Sequence, residues 1–562
     1  MPSLRAVLAF AVITLALPLS AARAQTPMAL ARGTSLDTVI APGAVHQYSF
    51  RLDTNHSIEV TVMQRGVDVV VEVRNERDSV LFIVDSPNGR EGPEIVQLTS
   101  PRTARYRMHV RPYDADEPAG RYTLQVIAWR DAAGTRALET ARQQARAAAA
   151  AWLRPRSAPL PPIAGTPLIS ALAPLDSLAA RARVIGIGEA THGSREFGDL
   201  RLTLTRYLIE RHGFRLVAIE ASVNQLSVLN RYIHGAESDS ITTNVETGWI
   251  GRRPLRELVA WLHDWNRLHP GDAVALVGLD PQDHDIARRE LRVFIAQAYP
   301  RAVERYVAVE RELAATDSYF GDNAVDTTAR QFLREVLAHA DNDAAALQQL
   351  MDTALVLAGI RAARVLLQVA DFNSAQADSW SRSRDWYMAV NLLDALQSAP
   401  HGRAVVWSHN AHVAAPSDRS LAGRPLGTWL RAALGCSYGA LAVTFGRGSF
   451  VAQIPGDPEE DLAISTLPAA PAESIDGVLM MLHAGGTVAT WRCDSGSDQI
   501  PAWLQAAQPL HWVGGLFAPG TDPREAFRPF RLVNDFDGIV FIPVVAAEQV
   551  ADDQPLVPVR RR

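Results

Sequence analysis

Four short apolar, β-branched runs, set among long helical stretches and each ending on a polar group, constrain this chain more than any other feature. Val184–Gly188 ends in Glu189, Leu216–Ile219 in Glu220 and Val274–Leu279 in Asp280, while Ala404–Trp407 leads into Ser408 and His409. Strands that are apolar throughout are buried on both faces, as in parallel sheets covered by helices. Parallel strands share one carboxyl rim, where α/β proteins hold their ligands. Glu189, His192, Glu220, Asp280, His409 and His412 can therefore converge, although they are far apart in sequence.

The expected fold class is α/β, a mostly parallel sheet covered by helices with a large helical insertion, preceded by a small all-β sandwich. Alternation in Gln47–Leu52, Ser57–Met63, Val67–Val73 and Tyr106–Val110, with turn signals between, places the sandwich at residues 29–129. Asp85, Asp114, Asp116 and Glu117 within it read as solvated loop charges rather than calcium ligands. Asp131–Arg154 is Ala- and Arg-rich and reads as a helix, and the Pro-rich stretch Pro155–Pro167 breaks it, so 130–164 reads as a linker. The α/β region then runs over 165–550, with Leu255–Leu268 an amphipathic helix. Residues 286–400 keep helical periodicity, with breaks near Pro300, Gly321 and Asn373, too long for a crossover and so an insertion able to wall or cover the rim. Tyr438–Phe445 and Gly538–Pro543 resume the strand pattern, and no internal repeat occurs.

All 55 positive residues counted as Lys or Arg are arginine, which excludes a Schiff-base or P-loop lysine. Net charge is −6 with both signs dispersed, so no basic footprint for nucleic acid exists. Residues 1–24 have Arg5, an apolar run from Ala6 to Leu19, and Ala22 and Ala24 in cleavage-site spacing. They read as a secretory signal, making the mature protein periplasmic or extracellular, with no later apolar run expected to span a membrane. Cys436 and Cys493 are the only cysteines, and sequence leaves open whether they pair.

Glu189 and His192 stand three residues apart, so a helical turn after the strand would bring them together. A carboxylate beside an imidazole orients the ring and stabilises its protonated form, which suits general-base chemistry on water. His409-Asn410-Ala411-His412 repeats the spacing at another strand end, where its groups could orient water, donate to an oxyanion or bind a metal. Metal-dependent hydrolysis is thus one alternative, although neither H-E-x-x-H nor a Cys-rich zinc pattern occurs. A secreted binding protein with an inactive α/β region is another. Ser194 and Ser408 lack the G-x-S-x-G elbow of serine hydrolases. Gly186-Ile187-Gly188 has Thr191 where a dinucleotide fingerprint needs glycine, and Glu189 would repel a pyrophosphate.

Two resemblances follow from particular residues. The segment from Asp68 to Glu94, closed by AGRYTLQV, resembles the bacterial pre-peptidase C-terminal domain. GEATHGSREF at Gly188–Phe197 resembles the signature of the erythromycin esterase family, and the likeness continues through Arg201, AIEAS around Glu220, RELVAWLHDWN, GLDPQ, SRDWYMAVN, WSHNAHVA and DFDGIVFI. The second resemblance implies metal-independent, cofactor-free hydrolysis of a small-molecule ester or lactone, in the best-known members the macrolactone of macrolide antibiotics, hence resistance. It implies that His192 is the base, Glu189 its assistant, and Arg201 and Glu220 polar groups positioning these and the substrate. His409 and His412 would complete the cleft, with Asp280 and Arg384 as substrate-binding candidates. The exported character and added sandwich separate this chain from the resistance enzymes, leaving the ester and the sandwich's partner open.

Overall fold

The computed structural model describes residues 26–86, 89–163, 171–236, 252–316, 325, 327–373, 384–399, 402–416, 424–456, 462–491 and 499–549. The expected signal segment lies outside these, as do Cys493 and the break expected near Gly321. The chain divides into two compact units that meet in sequence at Gln143 and Gln144, within the helix Ala132–Leu153 rather than in the Pro-rich stretch.

The first unit packs a five-stranded sheet on a four-stranded one. Apart from the parallel pairing of Met28–Ala29 with the strand His46–Leu52, all its pairings are antiparallel. Alternation places Val60 and Val62 of one sheet and Val71, Val73, Met108 and Val110 of the other in a common core.

The second unit is built on a nine-stranded sheet. From one side to the other, Gly538–Val545, Tyr438–Gln453, Val184–Ile187, Ala404–Trp407, Leu216–Ser222 and Ala275–Asp280 are all parallel neighbours. Val184–Ile187 is central because both its sides are covered, and its residues alternate between two cores, Ile185 and Ile187 into one and Val184 into the other. That double burial explains the apolar runs of the sequence. Ser157–Pro159 and Thr487–Thr490 extend the sheet antiparallel, and Leu462–Leu467 pairs with Tyr438–Gln453. The first of these lies where a linker is expected: it carries no strand pattern of its own, and its register is set by backbone bonds to Thr487–Thr490.

The insertion consists of helices Asp285–Ala298, Val303–Ala314, Thr327–Leu350, Thr353–Phe372 and Arg384–Ser398. Breaks fall at Pro300 and Asn373 as expected, with a further one at Asp352, whose carboxylate accepts from the N–H groups of Ala354 and Leu355. Contrary to the sequence expectation, Thr353–Phe372 is long and apolar enough to cross a membrane by length and composition. Half of that span is buried inside the protein, where Val356, Ile360, Leu366 and Val369 pack with Phe294, Tyr306 and Phe332 in a third core. The core helix of a protein packed on two sides passes the same test of length and composition.

Candidate active site

The turn after Val184–Ile187 supplies the first corner of the rim. Glu189 and His192 precede the helix Arg195–His212, so a non-helical turn, rather than the helical one expected, brings them together. The Nδ1–H of His192 donates to Glu189 Oε1 at 2.6 Å, which leaves Nε2 with its lone pair. Glu189 is 2% exposed and His192's side chain 18%, so the acid is hidden and the base is not. Arg201, in the second turn of the helix, lies 2.9 Å from Glu189 Oε2 and over the Trp407 ring. The Arg201–Glu189 contact is an ion pair by distance without hydrogen-bond alignment, since both Oε2 and Arg201 Nε lack a hydrogen-bond partner.

Backbone contacts fix this turn. Asn410 N–H donates to Glu189 O, Val513 N–H to Ala190 O, and both Val451 and Glu548 N–H to Gly193 O. The Asn410 carboxamide also exchanges two bonds with the Val443 backbone. A Cβ at Gly188 would stand 2.1 Å from Asn410 Oδ1, so glycine is required for that close approach.

Glu220, two residues before the end of the strand Leu216–Ser222, makes the second corner. Oε2 accepts from Ser408 Oγ at 2.6 Å and from His409 N–H at 3.0 Å, and Oε1 accepts from Arg384 Nη2 at 2.8 Å. Burial works against its charge, but His412 and Arg384 hold the carboxyl well below the usual range. Arg384, the first residue of the insertion's last helix, also reaches Asp280, with Nε 2.9 Å and Nη2 2.5 Å from Oδ2. The insertion thus contributes to the rim itself.

The histidines expected at the rim differ in state. His409 is 3% exposed; Ala411 N–H donates to its Nδ1 and its Nε2–H donates to the Ala190 carbonyl, both at 3.2 Å. Burial, then His192 and His412, push its ring down to about 3, so it is neutral. His412 presents Nδ1 to Asp385 Oδ1 at 2.6 Å and Nε2 to Glu220 Oε1 at 3.2 Å, with Arg384 Nη1 at 3.4 Å. Burial opposes its charge, but Asp385 and Glu220 raise the ring to about 10.

All eight residues expected at the site therefore meet on one rim, with His409 in the middle, its ring centroid 5.4 Å from that of His192. Arg201, 6% exposed, lies behind Glu189, and His409 has both nitrogens engaged by backbone groups, Nδ1 by the Ala411 N–H and Nε2 by the Ala190 carbonyl. Sequence reasoning missed Asp385, which sits beside Arg384 in the SRDW motif, and left Ser408 without a part. The signal for Asp385 was its place at a helix start next to a rim arginine.

An α/β sheet with acid–histidine pairs gathered at the carboxyl ends of its parallel strands defines a protein of the α/β enzyme type. The family described as erythromycin esterase matches residues 209–545, and the chain belongs to that family. The match begins after the Glu189–Arg201 turn, so that corner rests on its own motif and geometry. Erythromycin esterase type I of Escherichia coli is 33% identical over 114 residues, 19% of this chain and 26% of that protein, so the chain matches about a quarter of that relative's length. A solved protein from Bacillus cereus aligns over 73% of this chain and 99% of its own at 18% identity, with a TM-score of 0.59. The erythromycin esterase EreC, solved as a mutant in its open conformation, aligns over 70% of this chain and 99% of its own at 17% identity, with a TM-score of 0.53. These two likenesses bear on the fold alone.

Proposed function

We propose that the protein is an exported carboxylic ester or lactone hydrolase in which His192 activates water as a general base. The observation that carries this reading is the 2.6 Å bond between His192 Nδ1 and the buried Glu189, which orients the ring so that Nε2 is the nitrogen that takes the proton from water. Glu189 then stabilises the imidazolium that forms, and Arg201 holds Glu189 from behind. Arg384, about one-fifth exposed, is the cation that can meet the developing oxyanion, and the charge of His412, whose two nitrogens face Asp385 and Glu220, adds to the positive field beside it.

Two features support this route over the alternatives. The Ser408 hydroxyl proton is committed to Glu220, a carboxylate too acidic to serve as its base, which disfavours a serine nucleophile. Among the described residues no three His, Cys, Asp or Glu side chains form a set able to hold a metal ion. The rim histidines instead have their Nδ1 atoms engaged by carboxylates or backbone. The substrate class, by family likeness, is a macrolactone or a simpler ester met outside the cytoplasm, and the sandwich keeps its resemblance to the pre-peptidase C-terminal domain as part of this proposal.

The test is a panel of macrolides, lactones and simple esters incubated with the purified mature protein, with and without a strong chelator, and with His192→Ala as control. The expected result is cleavage that persists under chelation and disappears in the variant. Loss on chelation with recovery on adding a divalent metal would support the metal-dependent alternative. No cleavage above the control would leave the binding-protein alternative.

A further inference from the structure

His412 is one of three rim histidines, yet only its two nitrogens both face carboxylate oxygens. Nδ1 lies 2.6 Å from Asp385 Oδ1, and Nε2 lies nearer Glu220 Oε1, at 3.2 Å, than Arg384 Nη1, at 3.4 Å. An imidazole between two carboxylates satisfies both only when doubly protonated. Asp385 Oδ1 also accepts from the N–H of Leu426, the first residue of the helix Leu426–Leu434, at 2.9 Å. A single carboxylate oxygen therefore anchors the ring to a neighbouring helix end, where a backbone N–H cannot move without moving the helix.

We propose that Asp385 is a positioning residue that fixes His412 in its cationic, doubly donating form, so that the rim faces a substrate with one general base, His192, and one imidazolium, His412. The two histidines then differ in task because their acids differ in placement: Glu189 is shared with Arg201, whereas Asp385 is opposed by no guanidinium at ion-pair distance among the described residues. The groups facing His412 are Asp385 and Arg384 from the helix Arg384–Ser398, Glu220 from its strand with Asp280 behind Arg384, and the neutral His409 of its own segment. The helix Leu426–Leu434 presents only the backbone N–H.

Asp385→Asn separates charge from geometry, because the amide oxygen can still accept from both His412 and Leu426 while its charge is gone. The experiment follows the imidazole of His412 by NMR in the full chain labelled at histidine, with the signal assigned by its loss in His412→Asn. The wild type should keep His412 protonated well above neutral pH, and Asp385→Asn should move its titration acid-ward by about 1–3 units, with Asp385→Glu restoring it in large part. An unchanged titration in Asp385→Asn, or a wild-type His412 already neutral at pH 7, overturns the proposal. A kinetic arm rests on the proposed hydrolysis: the ratio of wild-type to Asp385→Asn kcat/KM should grow about tenfold between pH 6 and pH 9, whereas a ratio constant with pH marks a merely structural role and overturns it. If the wild type cleaves no ester, the functional reading fails, and the NMR titration still decides this one.

Discussion

Glu189→Gln is the substitution whose outcome the geometry constrains most tightly. The amide can still accept the His192 Nδ1–H, so the ring keeps its orientation and only the charge is removed. When Nε2 takes a proton in the transition state, the lost ion pair is worth about 4 kcal/mol at a separation near 4 Å and an effective dielectric of about 20, close to a thousandfold in rate. Arg201, 2.9 Å from the other oxygen, already cancels part of that field, which lowers the estimate, but once Glu189 is neutral the guanidinium repels the imidazolium, which raises it. The expected result is a fall of about 10²–10³ in kcat with KM little changed. The same change leaves a buried arginine unpaired, a loss of roughly 3–5 kcal/mol. Steady-state kinetics on the best ester of the panel, with urea unfolding of the same samples, reads both effects. In Glu189→Gln/Arg201→Gln stability should recover while kcat does not. A Glu189→Gln enzyme with wild-type kcat, or a loss confined to KM, would refute the reasoning.

Further expectations follow from the same structure. His409, pushed down to about 3, makes unfolding take up a proton between there and its ordinary 6.5, so stability should rise with pH over that window. His412, raised to about 10, makes unfolding release a proton between 6.5 and that value, so stability should fall there. Each limb has a slope of up to about 1.4 kcal/mol per pH unit, and together they place a maximum near neutrality; denaturant titrations across pH should lose the acid limb in His409→Asn. Gly188→Ala should displace Asn410 and with it the Glu189 carbonyl, lowering kcat and stability together, by about 1–3 kcal/mol for the latter. Cys436 is disulfide-bonded, and reduction should lower stability by about 2–4 kcal/mol, measured as a drop in Tm under a thiol reductant.

The rim was legible because its cause is local. A strand buried on both faces must be apolar, and its first polar residue marks its approach to the carboxyl rim, so Glu189, Glu220 and Asp280 announced themselves. Edge strands gave no such signal: Ser157–Pro159 pairs through its backbone, and its side chains carry no pattern. The insertion's helices were visible by periodicity, and the resemblance marked Arg384, but not that the last helix turns Asp385 into the rim beside it, because its partners come from distant segments. The states of the histidines were hidden for the same reason. His192, His409 and His412 are one residue type, separated by whether the ring meets one acid, a carbonyl acceptor and an amide N–H donor, or two carboxylates.

The central claim, that His192 delivers a proton-accepting nitrogen to a water molecule, is tested most directly by the hydrolysis rate of His192→Ala on the best ester of the panel, measured with and without added imidazole in a protein of unchanged circular dichroism. The account predicts a loss of about 10²–10⁴ in kcat, partly restored by imidazole in proportion to its free-base form. A folded His192→Ala that turns over at the wild-type rate would contradict it.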